Sequence, residues 1–176
     1  VVIKIETAEN SIDQIQQSGY FVPEAKKGPL LRYLIKTKKL RQVLVFTSSG
    51  YKADNVADKL RKNGIKAAAI HGKKSQSARN NALNQFKAGN LPVLVATDLL
   101  SRGIDIDALP CVINYELPRS PKDFVHRIGR TGRAEASGLA ISFVSRESLH
   151  HFKVIQKKLK QYTKMMNSED IDLKGY

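Results

Sequence analysis

Residues 126–133 read HRIGRTGR. Three arginines, Arg127, Arg130 and Arg133, recur at intervals of three, with Gly129 and Gly132 between them. A guanidinium is planar, always charged, and grips carboxylate or phosphate through two parallel hydrogen bonds. Glycine is a poor helix residue, so the spacing predicts a helix that gives way to a turn partway through the stretch. A solvated surface gains little from such an arrangement. An arginine presented to a nucleotide from outside its own binding unit neutralises charge growing on the γ-phosphate, an effect worth roughly a thousandfold or more in rate.

Other polar clusters follow apolar runs. Ser48, Ser49 and Gly50 come after VLVFT, and Gly72, Lys73, Lys74 and Ser75 after AAAIH. Thr97 and Asp98, then Gly103 and Asp105, come after VLVA. In an open parallel sheet the strand carboxyl ends share one edge, where ligands bind. The four clusters are therefore expected to meet on a surface of hydroxyls, backbone amides and cations, chemistry suited to phosphate.

HGKKS at 71–75 looks like the end of a phosphate-binding P-loop, but that loop needs a glycine five residues before Gly72, where Ala67 stands. No acidic pair follows a strand to hold magnesium. The histidines (His71, His126, His150, His151) and the lone Cys111 lack metal-ligand spacing, so no metal site is expected. Arginines fit for a triphosphate, without a cradle for one, imply the second jaw of a two-domain NTPase whose first jaw lies outside these residues.

The elements that must position these groups are legible as alternating patterns. Apolar runs at 42–47, 66–71, 92–98, 111–116 and 139–145 read as strands covered on both faces. Between them, Ala53, Val56, Ala57 and Leu60 keep helical spacing. Ala78, Ala82 and Phe86 do the same behind an N-cap at Ser75. Ser120 and Pro121 open a helix that turns Phe124 and Ile128 to the core. A further helix is expected to begin near Pro29, and a last one to run from about 147 to 162. His150 and His151 should divide between solvent and core, with Cys111 buried in its strand. The expected fold is α/β, a three-layer sandwich with a mostly parallel central sheet and helices on both faces. Residues 1–23 read as a linker-like start with a possible edge strand, 24–163 as the domain, and 164–176 as a flexible tail.

The chain has 176 residues and a formal net charge of +14. That excess points to a polyanion. With no apolar run long enough to span a bilayer and no signal-peptide pattern, a monomeric, cytoplasmic protein without a membrane partner is expected.

Together, VLVFTSS, HGKKSQSAR, VATDLLSRGIDI and HRIGRTGR resemble motifs IV, IVa, V and VI of the C-terminal RecA-like domain of DEAD-box ATP-dependent RNA helicases. The wording is closest to the RhlE-like branch. The resemblance covers nearly everything from about Val1 to Lys160. It implies that Arg130 and Arg133 are arginine fingers, that Asp105 and the backbone near Gly103 meet the ATP ribose, and that Ser48, Gln76, Arg79 and Thr97 contact RNA. Asp98, His126 and Arg127 would couple the nucleotide site to the partner domain. ATP and Mg2+ would be held mainly by an N-terminal RecA-like domain, whose motifs have no match here.

Plainer readings stand beside these. Arg127 and Asp98 also suit a structural ion pair, His126 a hydrogen-bonded core histidine, and Ser48 and Ser49 ordinary caps. Gln76 and Arg79 also suit a solvated helix face, and KKLKQYTK at 157–164 does likewise. Two further functions fit the same fold: a basic RNA-binding module with no ATP role, and a DNA-translocating relative.

Overall fold

The computed structural model describes residues 14–98, 106, 108–132 and 138–176. Among them, seven strands form one sheet: β1 (Ile15–Phe21), β2 (Val43–Thr47), β3 (Ala67–Ile70), β4 (Val93–Thr97), β5 (Cys111–Asn114), β6 (Gly138–Val144) and β7 (Lys164–Asn167). Their spatial order is β3-β4-β2-β5-β6-β1-β7, and every pairing is parallel. The helices are α1 (Glu24–Thr37), α2 (Gly50–Lys62), α3 (Gln76–Lys87), α4 (Pro121–Ile128) and α5 (Leu149–Leu159).

Strand alternation divides the core between the two faces. Val43 and Val45 of β2 pack with Leu30, Leu34, Val56 and Leu60 of α1 and α2. Leu44 and Phe46 point the other way, to Ala82 and Phe86 of α3. A third cluster joins Phe124 and Ile128 of α4 to Phe152 and Ile155 of α5. This is the expected three-layer α/β sandwich. Because every strand is parallel, α2 and α3 start where the carboxyl ends of β2 and β3 deliver the chain. Ser49, Ser75 and Ser120 cap α2, α3 and α4, each hydroxyl accepting a backbone N–H at 3.1 Å.

Several expectations need correction. α1 begins at Glu24 rather than near Pro29, which sits inside it. A helix-interior proline costs about 3 kcal/mol, whereas burying Leu30, Leu31, Leu34 and Ile35 contributes about 6 kcal/mol or more. Ala78 is exposed, leaving Ala82 and Phe86 as the buried face of α3. α5 is shorter than expected, ending in a left-handed turn at Lys160 (φ 52°). His150 is exposed, while His151 donates from Nε2 to the Pro118 carbonyl at 2.7 Å.

The largest corrections are at the chain's two ends. β1 is an interior strand between β6 and β7, within a stretch expected to be linker-like, while VVIKIE at 1–6, the possible edge strand, lies outside the described residues. Gly19 makes this possible: a Cβ there would lie 2.5 Å from Met165 Sδ. The expected flexible tail instead supplies the edge strand β7. Past it, Ile171 and Leu173 pack on the first core and Tyr176 meets Tyr33 edge-on at 5.3 Å. Residues 1–13 lie outside the described residues.

Candidate functional site

Arg127 is the largest fully buried side chain, with no exposed area. It leaves α4 and reaches beneath the sheet's carboxyl edge. Its Nε and one terminal nitrogen grip the two carboxylate oxygens of Asp98, at 2.5 and 2.6 Å. The other terminal nitrogen donates to Asn114 Oδ1 at 3.2 Å and to the Glu116 carbonyl at 2.6 Å. The guanidinium also lies 5.0 Å from the centre of the Phe46 ring. One side chain thereby fastens α4 to the ends of β4 and β5 and to the aromatic layer of β2. Asn114 carries the network on to β6 through Ser142 Oγ.

Glu116 extends it outward. Its Oε1 accepts both the backbone N–H and the hydroxyl of Ser48, each at 2.9 Å. The Ser48 hydrogen is thus held by a carboxylate, whereas Ser49 uses its oxygen for the Lys52 N–H and keeps its own hydrogen for a ligand. On the other side, buried His71 donates from Nε2 to Asp54 at 3.0 Å and accepts the Lys73 N–H on Nδ1. Lys74 Nζ meets the second Asp54 oxygen at 3.0 Å. Burial alone would raise the Asp54 carboxyl, but the bonds from Lys74 and His71 outweigh it and hold the group below its ordinary value. Gly50 leaves room for the imidazole, since a Cβ there would sit 2.8 Å from His71 Nδ1.

These groups line a cavity of about 590 Å³ at the strand carboxyl ends. Ser48, Thr97, Asp98 and Arg127, expected from three separate stretches, all border it, joined by Lys73 and Arg119. Hydroxyls, the N-terminus of α2 and two cations around an open cavity can hold phosphate groups.

The remaining expected residues fall elsewhere. Gln76 and Arg79 lie on the first turn of α3, with Gln76 bonded to Asn80 at 2.9 Å. His126 is exposed on α4 rather than a core histidine. Arg130 is half-buried and donates to the Ile106 carbonyl at 3.2 Å. Ile106 is the residue after Asp105, so this bond ties the end of the Thr97–Ile106 stretch to the arginine motif. The expected turn forms after Gly129 caps α4, and Gly132 adopts φ 73°. Thr131 anchors that turn by donating to the Leu109 carbonyl. Gly103, Asp105 and Arg133 lie outside the described residues. Among those described, no group of three His, Cys, Asp or Glu side chains could hold a metal.

Sequence reasoning missed Asn114 and Glu116, and named Gly50 and His71 without joining them. Asn114 had a signal, a polar residue inside an apolar strand. The packing of His71 on Gly50 had none, because it joins two stretches 21 residues apart.

A family profile described as "Helicase conserved C-terminal domain" matches residues 26–135. The ATP-dependent rRNA helicase RRP3 of Gibberella zeae is 38% identical over 167 residues, covering 91% of this chain and 34% of that protein. The ATP-dependent RNA helicase RhlB of Pseudomonas syringae is 38% identical over 158 residues, covering 90% and 40%. The chain therefore spans well under half the length of these curated relatives. Among solved structures, a DEAD box protein from Methanococcus jannaschii superposes with a TM-score of 0.82 at 41% identity, covering 88% of this chain and 42% of that one. Saccharomyces cerevisiae Dbp5 bound to RNA and ADP BeF3 gives 0.83 at 31%, covering 90% and 43%.

Proposed function

Because the chain belongs to the helicase conserved C-terminal domain family, in the form found in DEAD-box RNA helicases, we propose that it works as the second RecA-like half of an ATP-dependent RNA helicase that unwinds RNA duplexes or remodels RNA–protein complexes. Arg130 and Arg133 are the arginine fingers toward a γ-phosphate held, with Mg2+, on an N-terminal RecA-like domain. Gly103 and Asp105 face the ribose. ATP hydrolysis supplies the free energy of the cycle; this chain's residues orient and couple.

The observation that carries the reading is the Arg127 network. It locks α4, and hence the start of the arginine motif, to Asp98, the residue after Thr97. The same network reaches Ser48 through Glu116, by way of the Glu116 carbonyl and carboxylate. A shift in the arginine motif is thereby felt at the cavity where Thr97 and Ser49 receive RNA phosphates, and where Ser48, expected to contact RNA, instead gives both its donors to Glu116. Arg127, fully buried, and Asp98, whose carboxylate both arginine nitrogens hold, act as positioning residues. Gln76 and Arg79 extend the RNA track along the start of α3, and exposed His126 faces the partner domain. Hydroxyls and cations on a backbone carry no base information, so recognition is independent of sequence. The RRP3 and RhlB relatives share the same 38% identity, so the RhlE-like placement rests on motif wording alone.

The chain alone is expected to turn over no ATP, and the full-length protein to show RNA-stimulated turnover that Arg130→Lys abolishes, because a point charge does not replace the planar fork. Robust turnover by the chain alone, or full-length activity retained in Arg130→Lys, overturns the reading. The +14 charge favours one competitor, an RNA-binding module with no ATP role. That competitor requires tight, salt-sensitive RNA binding together with full-length ATPase activity indifferent to Arg130. DNA stimulation equal to RNA stimulation would reassign the substrate.

A further inference from the structure

The network above lies at the carboxyl edge of the sheet, yet many of the exposed cations lie at the other edge. Helices α1, α2, α3 and α5 descend to the amino ends of β2, β3, β4 and β7, and each descent arrives among exposed cations. Lys36, Lys38, Lys39 and Arg41 surround the α1–β2 connection. Lys59, Arg61, Lys62 and Lys66 surround the α2–β3 connection, and Lys87 ends α3. Lys157, Lys158, Lys160 and Lys164 surround the α5–β7 connection, where Tyr162 is 87% exposed.

These thirteen cations face two carboxylates. Asp58 pairs with Arg61 and Lys62, and Asp170 borders the groove that Lys38 lines. The thirteen cations exceed these two carboxylates by eleven. Helix C-termini favour nearby cations, but each supplies only about half a negative charge. Four helices account for about two of the eleven, which leaves most of the local excess without a counter-charge from these two carboxylates and the helix ends.

The patches are continuous. The Gln42 amide, beside Arg41, donates to the Phe86 carbonyl at the end of α3. Lys38 lines one groove with Met165 of β7. Six strand spacings make the edge about 29 Å long, enough to follow several consecutive phosphates. Of the exposed large hydrophobics among the described residues, Tyr162 belongs to this edge, which gives it no apolar face for a bilayer.

We propose that the amino-end edge of the sheet is a second RNA-binding surface, one that holds the phosphate backbone electrostatically and independently of nucleotide, on the side of the domain opposite the cavity. This rests on the RNA reading above and extends it. A flank of the substrate stays tethered here while the carboxyl edge opens and closes.

The test uses the 176-residue chain, a fluorescent single-stranded RNA, and salt from 50 to 300 mM. Three variants each remove three exposed charges: Lys38→Gln/Arg41→Gln/Lys66→Gln at one end of the edge, Lys157→Gln/Lys158→Gln/Lys164→Gln at the other, and Lys26→Gln/Lys122→Gln/Lys153→Gln as a charge-matched control. Each edge variant is expected to bind at least about tenfold more weakly, with the slope of log affinity against log salt reduced by about 2, from roughly 0.7 per lost phosphate contact. The control should change affinity less than threefold. Equal effects in all three variants, or unchanged slopes in both edge variants, overturn the second surface. If both edge variants bind normally while Lys73→Gln/Arg119→Gln loses binding, the second surface falls and the RNA reading stands. No RNA binding by the chain even at 50 mM salt sinks the second surface alone, because full-length ATPase assays test the RNA reading separately. Sedimentation with phosphatidylserine vesicles but not with RNA overturns the choice of polyanion.

Discussion

The two edges of the sheet carry like charge and treat it in opposite ways. At the carboxyl edge, Arg127 is spent on Asp98, Lys74 on Asp54, and Ser48 on Glu116. At the amino edge, thirteen exposed cations share two nearby carboxylates. The first arrangement fixes positions, because a bidentate pair defines angles as well as distance. The second makes a field, because exposed lysines hold no single geometry and act through summed potential. A domain that must place a few atoms against a nucleotide, and also keep hold of a long polyanion, has use for both.

The comparison breaks most sharply at Arg127. Replacing it with Met keeps volume but takes the guanidinium away from the Asp98 carboxylate, the Asn114 side-chain oxygen and the Glu116 carbonyl. Removing one partner of a buried pair costs about 3–5 kcal/mol, and urea unfolding of Arg127→Met is expected to show a loss of that size. A loss below about 1 kcal/mol would mean the carboxyl edge is as loosely held as the amino edge.

Gly50→Ala comes next. At the first turn of an exposed helix, alanine ordinarily stabilises by up to about 1 kcal/mol. Here the added methyl would lie 2.8 Å from His71 Nδ1 and 2.9 Å from Cγ, and the imidazole is pinned by Asp54 and the Lys73 N–H. Overpacking of about 1–3 kcal/mol is expected instead, read by thermal unfolding. A stabilised variant would show that His71 has room to yield.

Much of the carboxyl edge was legible in the sequence because its parts are local. VLVFT, VLVAT and CVIN are apolar but for their last residue, as strands buried on both faces require, and Ser49, Ser75 and Ser120 each announce a helix start. Asp98 was a foreseeable partner of Arg127 once the strands were parallel. The β1–β7 end was not legible. IQQSGYF and KMMN contain glutamine, serine, lysine and asparagine, and they become strands only because β6 offers a free edge to β1, and β1 to β7. The room that Gly19 leaves for Met165 joins residues 146 positions apart. The amino-edge field was invisible for a related reason: each lysine looks like a helix-end cation, and only the topology gathers them.

Cys111 offers a probe of the amino edge from inside. It opens β5 and is fully buried; burial pushes its thiol up to about 12, against a smaller lowering by the Lys38 charge. A raised folded value means the native state keeps a proton that the unfolded chain releases above about pH 9. Stability is therefore unaffected by this group below pH 9 and falls as pH rises through 9 toward 12, by about 1.4 kcal/mol per unit. Unfolding free energies from urea titrations at pH 8 and pH 10 should differ by about that much more in the native sequence than in Cys111→Ala. Equal differences would mean the thiol is reached by water from the amino side.

The smallest expected effect concerns the edge cations themselves. If their charge is a field rather than a set of bonds, Lys38→Gln/Arg41→Gln/Lys66→Gln should change stability by no more than about 0.5 kcal/mol, the range of ordinary surface substitutions. Its sign is the informative part. Relief of mutual repulsion favours the variant at low ionic strength, and the advantage should vanish as salt shortens the Debye length from about 30 Å at 0.01 M to about 8 Å at 0.15 M. Melting temperatures across that range should thus rise more steeply with salt in the native sequence than in the variant. Parallel curves would show that the thirteen cations are already neutralised locally, and the edge would then resemble the paired carboxyl side instead of contrasting with it.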